Sequence, residues 1–244
     1  MTSYKQRIKK IASEKSPLIL ANDYDDRRQD LESRTIKNIR ELHKYLCAIK
    51  LNFHVLLPLG QKQIQKITRL AHDSGLQTIA DIKLNDIGNT NNVTVETLWD
   101  LGFDAVIVNP MMGPENLGNL IKLSHKNEKG VISLCHMSSP EAKVTYELQV
   151  GAKKSPLYHM FLEWATKMHS DGIIVGATFP DIVAFCKKKS GGSLNIYSPG
   201  IGTQGGDIQK TISAGSDYLI VGRSILTAKD PVSAARSLYE LCKN

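Results

Sequence analysis

The chain has 244 residues, 41% hydrophobic and 23% charged, which is ordinary for a globular protein and long enough to bury a sizeable core. No apolar run approaches the roughly 18 residues that mark a membrane span, and MTSYKQRIKKIASEKSP at the N-terminus has no apolar stretch before a cleavage site, so a cytoplasmic protein without membrane contact is expected. The net charge of +7 is dispersed (Lys9 and Lys10, Lys153 and Lys154, Lys187 to Lys189) with no interleaved aromatics, which favours solvated faces and an anionic small-molecule ligand over a nucleic-acid surface.

Short apolar runs alternate with longer amphipathic stretches. Strands are expected at 17–22 (PLILAN), 46–51 (LCAIKL), 77–82 (QTIADI), 104–108 (DAVIV), 130–135 (GVISLC), 172–176 (GIIVG), 194–198 (LNIYS) and 217–221 (DYLIV). Every run contains Ile or Val, as strands buried on both faces require. Helical patterns separate them, among them RTIKNIRELHKYL and GQKQIQKITRLAHDSG, the second ending on Gly75 as a C-cap. Eight strands with intervening helices indicate an α/β protein. Eight regular units in this length favour a single (β/α)8 TIM barrel over a doubly wound open sheet. No linker or composition shift interrupts the pattern, so residues 1–244 are expected to form one domain. Residues 137–156 follow the fifth strand on the face where barrel active sites lie, and are either a mobile lid or an ordinary polar loop. The cysteines Cys47, Cys135, Cys186 and Cys242 lack paired spacing and read as reduced, mostly buried thiols.

Charged residues collect at the C-terminal ends of the first three strands. The first stops at Asp23 and the second presents Lys50. On the third, Asp81 and Lys83 are two apart and share a face, with Asp86 on the loop beyond. Buried together, such charges have to pair and titrate as a group; were the strand assignment wrong, they would be surface charge. Asp86 lies past the strand end, so it need not face its own barrel, and the plain alternative is that it N-caps the next helix. At the other end of the chain, SPGIGTQGGD after the seventh strand and VGRS after the eighth supply bare glycine N–H groups and Arg223. Those two loops are the usual phosphate cradle of this barrel class, and Arg223 suits a bidentate phosphate contact. Read separately, each is also compatible with helix-capping turns and a surface arginine.

Taken together, these residues resemble the orotidine 5′-monophosphate decarboxylase family, particularly its compact microbial branch. The resemblance rests on Asp23, Lys50, D-x-K-x-x-D at Asp81, Lys83 and Asp86, Met137–Ser138, P-G-I-G-x-Q-G-G-D and V-G-R-S, in that order along the whole chain. It implies decarboxylation of orotidine 5′-monophosphate (OMP) to uridine 5′-monophosphate (UMP) in pyrimidine biosynthesis, with no cofactor and no metal. Lys83 would protonate C6, Asp81 would lie beside the departing carboxylate, Lys50 would hold Asp81 and a ribose hydroxyl, and Asp23 would contact the ribose. Asp86 and Thr90 would reach into a partner's site, implying a homodimer. Ser138 would bind the pyrimidine edge, Gln204 would bridge phosphate and base, and Gly222 and Arg223 would hold phosphate. Ile87, Pro199, Gly200 and Ile201 complete the implied substrate-binding set. Two positions depart from the common pattern: Ser139 stands where relatives often have His, and Asn22 where many have Leu. The competing readings are a magnesium-dependent sugar-phosphate lyase on the same barrel and a catalytically silent phosphate-binding barrel.

Overall fold

Buried on both faces, the eight apolar runs form eight strands. The computed structural model describes residues 2–24, 30–152 and 154–243, and in it the strands are β1 (Leu18–Ala21), β2 (Ala48–Asn52), β3 (Gln77–Leu84), β4 (Ala105–Val108), β5 (Gly130–His136), β6 (Gly172–Val175), β7 (Asn195–Pro199) and β8 (Tyr218–Val221). Each pairs in parallel with its sequence neighbours, and β1 pairs with β8, so the sheet is a closed barrel rather than an open one. Along the strands, side chains alternate between two apolar environments. Leu18, Leu20, Ile49, Leu51, Val106 and Val108 pack with the helix residues Ile39, Ile67 and Leu117. Ile19, Ala48, Ile79, Ala105 and Ile132 instead pack with Tyr197 and Tyr218 in a second cluster.

Helices follow the strands, among them α2 (Leu31–Leu42) after β1, and a 13-residue helix, Gln61–Asp73, after β2. Gly75 at φ +70° ends the latter, with Leu76 N–H donating to the Ala71 carbonyl, as a left-handed C-terminal turn requires. The four cysteines are free, and all but Cys242 are buried. Within 137–156, chain order gives a short helix, Ala142–Thr145, and an antiparallel pair, Gln149–Val150 with Ser155–Pro156.

An element not foreseen above closes the floor. Helix α1 (Tyr4–Glu14) begins with a reciprocal capping box between Ser3 and Gln6. Its Tyr4 and Ile8 are fully buried. The Tyr4 ring lies where a side chain on Gly130, the first residue of β5, would collide with it. Beside it, Tyr197 and Tyr218 stack with ring centroids 4.6 Å apart.

Around the floor one device occurs three times. Asp104, just before β4, accepts from Thr78 N–H (2.9 Å) and faces the His72 ring (2.8 Å). Asp171, before β6, accepts from Val131 N–H (2.8 Å) and faces the His125 ring (3.0 Å). Asp217, before β8, accepts from Ile196 N–H (2.8 Å) and from Lys187 Nζ (2.7 Å). In each case a carboxylate entering one strand caps the backbone of the strand before it and binds a basic residue from the helix leading into that earlier strand.

Removing such a carboxylate strands a buried N–H. Asp171→Ala should therefore cost about 1–3 kcal/mol in urea unfolding. The hydrogen bond to Asp171 raises the pKa of His125 against the opposing effect of burial. A raised folded pKa means that the contribution is fully present below the ordinary histidine pKa of about 6.5 and is lost as pH rises through the folded value. The stability gap between wild type and His125→Gln should accordingly be larger near about pH 5.5 than near about pH 8.5; a gap that does not change with pH would contradict the linkage.

Candidate active site

The mouth of the barrel holds a cavity of about 480 Å³. Ala21 and Lys50 are register partners, as are Asn52 and Asp81, so the last inward-facing positions of β1, β2 and β3 lie side by side. There the charges form one chain. Asp23 Oδ2 accepts from Lys50 Nζ at 2.9 Å, Lys50 Nζ donates to Asp81 Oδ2 at 2.8 Å, and Asp81 Oδ1 accepts from Lys83 Nζ at 2.8 Å. Two ammonium groups alternate with two carboxylates, and each inner member touches two opposite charges.

Asp81 and Lys83 do not meet through plain alternation. Lys83 has φ +45°, and the β3–β4 register shifts between Ala80 and Leu84. A left-handed lysine costs roughly 1–2 kcal/mol, and its ion pair with Asp81 offsets that strain locally.

Burial shapes the protonation of the chain. Only 4% of the Lys50 side chain and 8% of that of Asp81 remain exposed. Burial alone would lower the Lys50 pKa, but the charges of Asp81 and Asp23 outweigh it and the value is pushed up to about 12. Burial opposes the charged form of Asp81 too, yet Lys50 and Lys83 hold its carboxyl below the usual carboxylate range. Asp23 keeps one oxygen, Oδ1, buried and without a partner among the described residues.

Facing these charges is an apolar wall of Ile107, Leu134, Ile174 and Ile220. A ligand here would have its polar edge on β1–β3 and an apolar surface behind it. Met137, Ser138 and Ser139 follow β5 along the rim. Thr178 Oγ1 donates to the Ser138 carbonyl at 2.9 Å, and a side chain on Gly176 would come within 2.5 Å of Ser138 Cα, so Ser138 is tightly seated. Beneath it the fully buried His136 points Nδ1 at the Met137 carbonyl, 2.9 Å away.

Pro199, Gly200, Ile201, Thr203, Gln204, Gly222 and Arg223 complete the lining. Gly200 has φ +97°, and a Cβ there would stand 2.8 Å from Gln204 Oε1 and 2.9 Å from Ser138 Cβ, so the turn admits no larger residue. Gly206 N–H donates to the Gly200 carbonyl at 3.0 Å and folds the loop back on itself. Arg223 is exposed and opens the short helix Arg223–Leu226. The tight turn and the exposed Arg223 guanidinium share one rim, which suits a phosphate-sized anion.

Residues 16–238 match the family described as "Orotidine 5'-phosphate decarboxylase / HUMPS family". The chain belongs to this family. Among its curated relatives, the orotidine 5′-phosphate decarboxylase of Thermococcus kodakarensis is 36% identical over 228 residues, covering 93% of this chain and 97% of the relative. The orotidine 5′-phosphate decarboxylase of Pyrococcus abyssi is 34% identical over 223 residues, covering 91% and 97%. In fold, the chain superposes along 100% of its length on the structure of Leishmania donovani UMP synthase, with a TM-score of 0.89 and 24% identity, and spans 56% of that longer chain.

Of the site residues expected from this family, Asp23, Lys50, Asp81, Lys83, Ser138, Pro199, Gly200, Ile201, Gln204, Gly222 and Arg223 line the one cavity. Asp86, Ile87 and Thr90 do not; all three are exposed beyond the rim. Asp86 is also not an N-cap in the strict sense. The cap of helix Gly88–Asp100 is Ile87, without a side-chain cap bond, and among the described residues Asp86 Oδ1 accepts from the adjacent Ile87 N–H at 2.8 Å. Asn52 and the four apolar wall residues were not anticipated. Asn52 had a signal, standing two residues past Lys50 on the same strand face.

Taking one partner from the ion chain leaves a buried carboxylate uncompensated. Lys50→Met should cost about 3–5 kcal/mol in urea unfolding, and adding Asp81→Leu to it should recover part of that loss. A double variant less stable than Lys50→Met would show that the pairing does not dominate the energetics of the mouth.

Proposed function

We propose that this protein decarboxylates OMP to UMP with Lys83 as the proton donor and without a metal or cofactor. The observation that carries the reading is the Asp81 carboxylate fixed between the Lys50 and Lys83 ammonium groups, opposite an apolar wall and across from a phosphate cradle. The curated relatives named orotidine 5′-phosphate decarboxylase support it.

The chemistry follows from these groups. The bond from C6 of the pyrimidine to its carboxylate breaks, carbon dioxide leaves, and the electron pair stays on C6. No adjacent electron sink exists, so the fixed Lys83 ammonium stabilises the developing charge and then gives C6 its proton. Water restores the proton to the lysine. Asp81, unable to move away from its two lysines, crowds the substrate carboxylate and favours its loss. Asp23, on the cavity lining, would accept from a ribose hydroxyl. Phosphate binding at Arg223 and the glycine loop holds the remote end of the nucleotide, and that binding energy is used at C6. Both Asp81 oxygens are occupied by lysine, a donor set poorly suited to the divalent cation of a sugar-phosphate lyase.

The same reading assigns residues 1–244 to one domain, with 137–156 as a lid carrying the exposed Val144 and Leu148. It also assigns a homodimer. Phe53, Leu57, Ile87, Val93 and Met111 are exposed apolar residues close in sequence to the ends of β2, β3 and β4, the side that carries Asp86 and Thr90. In a dimer through this face, Asp86 and Thr90 would complete the partner's site. No described helix is long and apolar enough to cross a membrane, and a cytoplasmic location suits a nucleotide-synthesis enzyme.

Ultraviolet loss of OMP on adding purified protein with excess chelator is the direct test. Turnover that stops with chelator and returns with magnesium would favour the lyase reading. Lys83→Ala should abolish turnover, while Arg223→Ala should lower kcat/KM by about one to two decades through weaker phosphate binding.

The dimer has its own test. Asp86→Asn and Lys83→Ala proteins, each nearly inactive, are mixed and allowed to exchange subunits. If Asp86 acts across the interface, activity should rise to about one-quarter of wild type, because about half the dimers are mixed and each of those has one intact site. No recovery after exchange verified by mass would exclude the cross-subunit role.

A further inference from the structure

We infer that Asn38, on the outer helix α2, is a positioning residue that sets the sugar-binding carboxylate of Asp23 by holding both of its chain neighbours. The inference rests on the reading of the site given above. Asn38 does not line the cavity, and nothing in the family pattern singled it out; the hydrogen bonds do.

Asn22 and Tyr24 flank Asp23. Asn22 is fully buried at the exit of β1, where most polar side chains would be costly. Its main-chain N–H donates to the Lys50 carbonyl at 2.9 Å. Its side-chain orientation follows from its partners. Thr35 Oγ1 spends its proton on the Leu31 carbonyl at 2.7 Å, so it accepts from Asn22 Nδ2 at 2.8 Å. Asn22 Oδ1 is therefore an acceptor, and it takes a proton from Asn38 Nδ2 at 2.8 Å. The other Asn38 amide proton goes to Tyr24 Oη at 2.6 Å. One amide thus grips the residue before Asp23 and the residue after it.

The clamp is braced on both sides. The Arg34 guanidinium lies 3.8 Å from the centre of the Tyr24 ring, and the Tyr24 carbonyl is 2.9 Å from His54 Nε2. Between these anchors Asp23 turns Oδ2 to Lys50 and keeps Oδ1 buried, without a partner among the described residues. Without the clamp, Asp23 would still reach Lys50, but the orientation of its carboxylate would no longer be defined. Asn22 Oδ1 is the acceptor that lets the end of β1 receive this bond.

The test is a double-mutant cycle on steady-state kinetics. Asn38→Leu breaks both bonds without adding charge; Asn38→Asp is isosteric and removes the amide donation to Asn22 Oδ1, while the Tyr24 hydroxyl can still donate to the new carboxylate. Asp23→Ala is expected to lower kcat/KM for OMP by about 10- to 100-fold. Each Asn38 variant should lower it about tenfold, mainly through KM, and should fall no further when combined with Asp23→Ala. The preference for OMP over its 2′-deoxy and 3′-deoxy analogues should shrink in the Asn38 variants as it does in Asp23→Ala, a change that lost stability alone would not produce. Additive losses in the cycle, or undiminished sugar discrimination in both folded Asn38 variants, would overturn the inference while leaving the decarboxylase reading standing. A wild-type protein that leaves OMP intact would overturn both.

Discussion

An ammonium and a carboxylate taken out of water each cost several kcal/mol, and this barrel places two of each in its mouth. Alternation makes that tolerable. Lys50 lies between Asp23 and Asp81, and Asp81 lies between Lys50 and Lys83, so each inner charge is paired twice and like charges are kept apart. The order of the ions is the order of the strands. It holds only while β1, β2 and β3 keep their register, and closure through β8 maintains that register. The left-handed turn at Lys83 is then a local cost that the pairing and the sheet together hold in place.

The two ends of the barrel use carboxylates for different purposes. At the floor, Asp104, Asp171 and Asp217 each meet a backbone N–H and a basic side chain, and hold strand to strand. At the mouth, Asp23 keeps an oxygen without a partner among the described residues, and the Arg223 side chain stands exposed on the rim. A ligand can use only what the protein has not already used. Uncommitted polar groups therefore gather at the mouth, and fully paired carboxylates at the floor.

Much of this was legible in the residues alone. The Ile- and Val-rich runs marked all eight strands because strands covered on both faces need little else. Asp23, Lys50, Asp81 and Lys83 stood out because charge is rare at the ends of such runs. The bulge at Lys83 was not legible, since its φ depends on the register with β4. Ile107, Leu134, Ile174 and Ile220 looked like any other core residues, and only closure turns them into a cavity wall. Asp86, Ile87 and Thr90 lie outside the cavity because they stand past the end of β3, on the exposed loop and first turn of helix Gly88–Asp100. Helix α1 was not legible because its segment is mostly polar and buries only one narrow stripe, Tyr4 and Ile8.

That stripe sets an order of events. Tyr4 and Ile8 are made before any strand, yet the floor they cover includes Gly130 and Tyr197, more than a hundred residues downstream. While the chain is being synthesised, this apolar face has no seat until β5 and β7 exist. Helix α1 is thus among the last elements to dock, and its apolar face stays uncovered until both strands have been made.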